Sequence, residues 1–290
     1  MPTDRELARL RSALLDAAAD IWRDLPWRET RDPWHVLVSE VMLQQTQASR
    51  VVEPYRRFIA RFPTPAACAR VGPAEVVREW AGLGYNRRAL NLHRAAVAIV
   101  THHGGRVPAN LVELEGLPGV GPYTARAVLA FAHGRAVGVV DTNVKRVMAR
   151  ALTGRPLGAS EAQRLADRLV PRRDPWRFNQ ALFDLGARYC TARAPRCAQC
   201  PLASGCRWTR ADPGAPDPAS DGRRRQPPFA GSEREGRGRL VGALRLAPVG
   251  AATLALAAGW PHDEPRALRI ADALVEEGLA CWRGEVLALA

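Results

Sequence analysis

The chain has 290 residues, 47% of them apolar, which is enough for one large core or for two lobes with a small extra domain. No stretch approaches the roughly eighteen uninterrupted apolar residues of a membrane span, and the charged start Met1–Leu10 lacks an apolar signal core, so a soluble, cytoplasmic protein without membrane association is expected. A formal charge of +13 favours a polyanionic partner, nucleic acid first, with a merely solvated basic surface as the alternative.

Residues 1 to about 210 read as mostly helical, with apolar runs at helical spacing broken by Gly and Pro. Helices are predicted over 5–21, 50–61, 73–81, 86–103, 109–116, 122–133, 143–152, 160–170 and 177–189. Another carries Trp34, Leu37, Val38, Val41 and Met42 on one buried face, with Glu40, Gln44 and Gln47 opposite. Residues 211–235 have the Pro, Gly, Asp and Arg content of a linker, centred on Arg223–Arg225. Residues 236–290 recover apolar periodicity. Two or three short helices are expected there, then apolar pieces at Leu279–Trp282 and Glu285–Leu289 joined at Arg283–Gly284, a layout resembling a small winged helix.

Four segments carry chemistry. In Ser39–Gln47, SEVMLQQTQ, one Glu and three Gln would ordinarily be a solvated helix face. In Leu117–Thr124, LPGVGPYT, Gly119 and Gly121 permit backbone angles closed to other residues, and a helix follows whose free N–H groups suit a phosphate; a plain tight turn is the bland reading. In Val139–Arg146, VVDTNVKR, Asp141 suits a helix N-cap. Cys190, Cys197, Cys200 and Cys206 fall within seventeen residues, and four thiolates fit either a [4Fe–4S] cluster or a structural zinc. Only one C-x2-C pair is present, whereas zinc ribbons carry two. Cys68 and Cys281 read as ordinary buried thiols.

Taken together, these strings resemble the MutY-type A/G-specific adenine DNA glycosylases of the helix-hairpin-helix, endonuclease III-like superfamily. SEVMLQQTQ and LPGVG match that family, as do Pro26–Arg28, Gly82–Tyr85, Asn91–His93 and Phe178–Ala181, in the family's order from about Leu25 to Cys206. The cysteine spacing resembles the iron–sulfur loop of the same proteins. The resemblance implies a mainly α, two-lobed helix-hairpin-helix fold over 1–210, with the [4Fe–4S] loop at 190–206. The linker 211–235 and a small, possibly winged-helix-like C-terminal domain, 236–290, follow. It also implies base-excision repair by a monomer that removes adenine mispaired with 8-oxoguanine or guanine in duplex DNA.

By resemblance, Glu40 protonates adenine N7 and helps activate water, and Asp141 stays ionised beside the cationic sugar. Asn143 holds Asp141, and Tyr123 walls the pocket. Arg28 contacts the flipped adenine. Gln45, Leu83 and Tyr85 are candidate wedges that fill the gap left by the extruded base; Leu83 and Tyr85 could equally be core. Gly119 and Gly121 receive phosphate. The lyase relatives carry lysine where Tyr123 stands, and Lys145, the one lysine in the chain, is assigned a phosphate contact or a surface role. The alternatives are a bifunctional lyase for oxidised pyrimidines, opposed by Glu40 and Tyr123, and a non-catalytic DNA-binding module, opposed by Glu40 and Asp141. Residues 236–290 are too short for the Nudix-like domain of longer relatives. Arg223, Arg224, Arg225, Arg234, Arg237 and Arg239 are therefore expected to add phosphate contacts only.

Overall fold

The computed structural model describes residues 1–209, 214, 216–220 and 227–290, so the Arg223–Arg225 tract lies outside the described residues. The helices in chain order are α1 (Asp4–Asp16), α2 (Pro33–Leu43), α3 (Ala48–Arg61), α4 (Pro65–Ala69), α5 (Pro73–Glu79), α6 (Arg87–His102), α7 (Leu111–Glu115), α8 (Pro122–Phe131), α9 (Thr142–Met148), α10 (Ala159–Leu169) and α11 (Pro175–Arg188). After the linker come α12 (Glu233–Leu246), β1 (Val249–Gly250), α13 (Leu254–Ala258), α14 (Glu264–Glu276), β2 (Ala280–Arg283) and β3 (Val286–Leu289). Among the described residues no helix is long and apolar enough to cross a membrane.

Local chemistry sets most boundaries. α1 starts at a reciprocal cap: the Thr3 hydroxyl accepts from the Glu6 N–H at 3.3 Å, and the Glu6 carboxylate accepts from the Thr3 N–H at 2.8 Å. α1 stops at Asp16 rather than at 21; Ala18 and Ile21 stay in the core but reach it through turns. Residue 65 opens a short helix, α4, that periodicity does not reveal, capped by Thr64 on the Ala67 N–H at 3.1 Å. α12 begins inside the expected linker because Ser232 caps it.

The chain forms two compact units. The first joins Met1–Val36, Ala109–Leu111 and the described part of Gly121–Arg223. There α11 packs on α1, α8 and α9, and α10 on α1. Leu10, Leu14, Val147, Leu165, Phe178 and Leu185 are among its buried core residues. α9 runs on into a π-helical turn, Ala149–Thr153, closed by Gly154 at φ +64°.

The second unit joins Leu37–Pro108, Val112–Val120 and the described part of Arg224–Ala290. α6 packs on α4 and α5, and α12 packs on α5, α13 and α14. The C-terminal segment therefore clusters with the residues around α3–α6. Its strands form an antiparallel sheet in the order β1-β3-β2, with Ala280 opposite Leu289 and Arg283 opposite Val286. Gly284, at φ +61°, makes the two-residue turn between β2 and β3. α12 meets the rest of the segment at Gly236, where an added Cβ would lie 2.1 Å from the Trp260 ring.

Candidate active site

In the second unit, α2 carries Glu40, which is 5% exposed. The expected polar face is not a helix face. α2 ends at Leu43, and Gln44–Gln47 form the turn into α3. Gln45 stands exposed in that turn at φ +54°. Tyr85, half exposed, stands at φ +47° before α6. Left-handed backbone is unfavourable for such side chains and persists only where surroundings enforce it.

The enforcing group is Arg88. Its guanidinium is buried and donates to the carbonyls of Val41 (3.0 Å), Met42 (2.7 Å) and Gln44 (2.6 Å), and to the Thr46 hydroxyl (3.0 Å). It also donates to the carbonyls of Leu83 and Gly84, both at 3.2 Å. It thus caps the C-terminal turn of α2 and ties that turn to the segment holding Tyr85. Burial pulls its pKa down to about 10, with no loss of charge near neutrality. Arg50 adds a second tie, donating to the Gly82 carbonyl at 2.8 Å. Leu83, expected as a wedge, is 2% exposed and packs as core; Gln45 and Tyr85 are the side chains that protrude.

The hairpin glycines differ. Gly119 adopts φ +78°, and a Cβ there would meet the Asn91 Cβ at 2.7 Å, so both backbone and space demand glycine. Gly121 lies at φ −92°, ψ 179°, ordinary extended backbone that needs no glycine. It is exposed, with nothing within 4 Å of an added Cβ, and it caps α8. The half-buried Tyr123 follows in the first turn of that helix.

In the first unit, Asp141 caps α9. One carboxylate oxygen accepts from the Val144 N–H and the other from the Asn143 amide, both at 2.7 Å. Asn143 in turn accepts from Arg146 Nη2 at 2.8 Å, and Arg146 Nε reaches the Cys190 carbonyl at 2.6 Å. A continuous line of hydrogen bonds therefore runs from Asp141 to the first cysteine of the loop. Burial pushes the Asp141 carboxyl above the ordinary aspartate range, against the pull of the Val144 and Asn143 hydrogen bonds and the Arg146 charge. Lys145 is half-buried on the same helix. Arg28 does not present its guanidinium for a ligand. It is 7% exposed, with Nη1 and Nη2 each 2.7 Å from the fully buried Asp184 carboxylate, and it lies over the Trp22 ring at 4.6 Å. A buried carboxylate needs a charged partner, and Arg28 and Arg23 supply it.

Cys190, Cys197, Cys200 and Cys206 line one pocket of about 360 Å³, together with Leu185, Leu202 and Trp208. Among the described residues no set of His, Cys, Asp or Glu closes tightly enough to hold a single metal ion. Four thiols framing a volume rather than a point fit a multi-atom cluster better than a lone zinc with its short bonds of about 2.3 Å. Arg150 fixes the frame from the π-helical turn: Nη1 donates to Cys190 Sγ at 3.4 Å and to the Thr191 carbonyl at 2.7 Å, and Asp217 holds its other nitrogens at 2.5 and 2.9 Å. A cation beside the thiolates suits an anionic cluster.

Arg88, Arg146, Arg150 and Asp184 escape sequence reasoning. The available signal is an arginine inside an otherwise apolar helical stripe, as Arg88 is beside Ala89, Leu90 and Leu92. Replacing Arg88 strands buried carbonyls, at about 1–3 kcal/mol for each unsatisfied group. Arg88→Gln should therefore destabilise the protein by at least about 3 kcal/mol in denaturant melts and weaken DNA binding. Melts within about 0.5 kcal/mol of wild type would remove Arg88 from its place as organiser. Asp141 makes a separate prediction. Native Asp141 holds its proton more tightly than the unfolded chain, so its ionisation weakens folding as pH rises from the ordinary aspartate range through the raised value. Asp141→Asn keeps the cap and cannot ionise. Its Tm should exceed that of wild type at about pH 7, and the gap should close at about pH 4.

Comparison with known proteins supplies the frame for this geometry. Residues 38–172 match the HhH-GPD superfamily of base excision DNA repair proteins, and residues 190–206 match the iron–sulfur binding domain of endonuclease III. That match and the donor set make the loop a [4Fe–4S] site. An adenine DNA glycosylase of Mycolicibacterium smegmatis is 44% identical over 261 residues, 89% of this chain and 87% of the relative. The human adenine DNA glycosylase is 41% identical over 216 residues, 70% of this chain and 40% of the relative. Among solved structures, a thermostable thymine-DNA glycosylase aligns with TM-score 0.65 at 31% identity, covering 71% of this chain and 97% of that one. A DNA-trapped endonuclease III aligns with TM-score 0.63 at 25% identity, covering 72% and 98%. With such identity along nearly the whole length of a relative, the chain belongs to the adenine DNA glycosylases, within the helix-hairpin-helix superfamily of base-excision repair enzymes.

Proposed function

We propose that this glycosylase hydrolyses the N-glycosidic bond of adenine mispaired with 8-oxoguanine or guanine in duplex DNA, acting as a monomer and without a lyase step. The observation that carries the reading is the placement of Glu40. It is a buried carboxyl on the helix that ends in the strained Gln45 turn, so the acid and one wedge share a short stretch of chain.

Adenine leaves poorly as an anion. Glu40 delivers a proton to adenine N7, the C1′–N9 bond breaks with its electron pair going to the base, and the sugar becomes cationic. Asp141 faces that cation ionised; its two hydrogen bonds hold it in place, and the positive sugar favours the charge that burial alone opposes. Water adds to C1′ and gives up its proton to the glutamate. Asn143 positions Asp141, Tyr123 walls the pocket, and Gln45 and Tyr85 fill the duplex where the adenine leaves. The N–H groups at Gly119 and Gly121 and the Lys145 ammonium hold phosphate. Cys190, Cys197, Cys200 and Cys206 would hold the iron–sulfur cluster, which would tie their loop together and so steady the line of hydrogen bonds from Cys190 through Arg146 and Asn143 to Asp141.

Glu40→Gln should bind mispaired DNA yet lose about 10²–10⁴-fold in single-turnover excision, the usual worth of general acid catalysis. A rate within about threefold of wild type would reject the assignment. Borohydride added during turnover should trap little enzyme on DNA, because a Schiff base needs an amine at the sugar and Tyr123 stands where the lyases have lysine. Efficient trapping that vanishes in Lys145→Ala would overturn the hydrolytic reading.

A further inference from the structure

The stretch between the cysteine loop and α12 has the composition of a linker, yet residues 216–220 carry a defined turn. The Asp217 carboxylate accepts from the Ala219 N–H at 2.9 Å. The Asp217 carbonyl accepts from the Ser220 N–H at 3.0 Å and from its hydroxyl at 2.8 Å. Pro218, inside the turn, is buried. The turn aims Asp217 at Arg150 of the π-helical turn: Oδ1 takes Nε at 2.9 Å and Oδ2 takes Nη2 at 2.5 Å.

Arg150 is 1% exposed and lines the cysteine pocket. Among the described residues of that lining, no lysine, histidine or carboxylate accompanies it. All three of its nitrogens are engaged. Nη1 meets the Cys190 sulfur at 3.4 Å and the Thr191 carbonyl at 2.7 Å, Nη2 also meets the Ala192 carbonyl at 3.3 Å, and the Trp208 ring lies against the guanidinium at 4.6 Å. Asp217 takes Nε and Nη2 and leaves Nη1 to the sulfur. A buried guanidinium needs a counter-charge, and Asp217, itself three-quarters covered, supplies it from the linker. The Arg150 fork holds the Asp217 carboxyl below the ordinary aspartate range, so the carboxylate is charged near neutrality.

The potential of an iron–sulfur cluster follows the charge around it, the N–H groups given to its sulfurs and its exposure. Arg150 brings a positive charge and one such N–H, and both favour the electron-rich form. Asp217 opposes the charge while it fixes the N–H in place. We propose that Asp217 is a positioning residue for the cluster: from the linker it sets the Arg150 guanidinium on the Cys190 sulfur, and its negative charge holds the reduction potential of the cluster down. The linker is thereby part of the cofactor's frame and not only a tether to the C-terminal segment.

The test compares wild type, Asp217→Asn, Asp217→Glu and a control, Asp272→Asn, exposed on α14 of the second unit, all as cluster-loaded full chains. One readout is the midpoint potential by protein-film voltammetry. The other is the rate at which ferricyanide, which takes one electron and becomes ferrocyanide, bleaches the visible absorbance of the cluster. Asp217→Asn keeps the acceptor that the Ala219 N–H and Arg150 Nε share, and loses the charge. Its midpoint should rise by at least about 28 mV, a threefold fall in the oxidised-to-reduced ratio at ~59 mV per tenfold for one electron. Bleaching should slow in step. Asp217→Glu retains the charge, and it and the control should stay within that margin of wild type. A smaller rise in the Asp217→Asn midpoint, or a fall, overturns the proposal. Unchanged or faster bleaching also overturns it, since a linker that merely covers the loop would speed oxidation once loosened. An equal shift in Asp217→Glu or in Asp272→Asn does the same, because it traces the effect to shape or to net charge.

Discussion

The second unit is organised around one buried guanidinium. Arg88 carries a charge without water because both of its terminal nitrogens meet carbonyls or a hydroxyl, each of them more than one. Those acceptors come from two stretches far apart in sequence, so the charge is stable only when both lie in place. The left-handed turns at Gln45 and Tyr85 follow from this constraint. A lysine could not replace it, because an ammonium is a point donor on a flexible stem, whereas the guanidinium reaches along a plane.

The first unit repeats the device. Arg146 and Arg150 leave α9 and its π-helical turn and reach the cysteine loop, one at the Cys190 carbonyl and one at its sulfur. Arg146 also holds Asn143, which holds Asp141. The near absence of lysine from the chain thus has a structural counterpart: the internal cations that support the candidate site are forks that bind several acceptors at once. Arg28 on Asp184 belongs to the same set. It orders the residues next to Trp22.

The C-terminal segment extends the pattern. Arg245 and Arg94 join it to α5 and α6 through carbonyls and an amide, while Gly236 lets the Trp260 ring pack against α12. The segment therefore stands beside the strained Tyr85 turn, and one forked ion pair of its own, Arg237 on Glu277, lines a pocket there.

The sequence alone determined the family, the helical class and the four-cysteine loop, and it offered Glu40, Asp141, Asn143 and Tyr123 as candidate site residues. These are carried by local strings, and short-range chemistry fixes them: cap residues, Gly and Pro breaks, and helical periodicity. The two-residue turn at Gly284 and the pieces it joins were legible for the same reason. Only the tertiary structure decided what depends on distant segments meeting. Periodicity put Gln44 and Gln47 on a helix that in fact ends at Leu43, because a cap from α6 stops it there. Leu83 is core and Tyr85 is not, although both stand in one short string. Gly121 is extended and open while Gly119 is strained and crowded by Asn91. Arg28 is committed to Asp184, more than 150 positions away in the chain. A buried polar group must find its partner wherever the fold brings one, and no local pattern records where that will be.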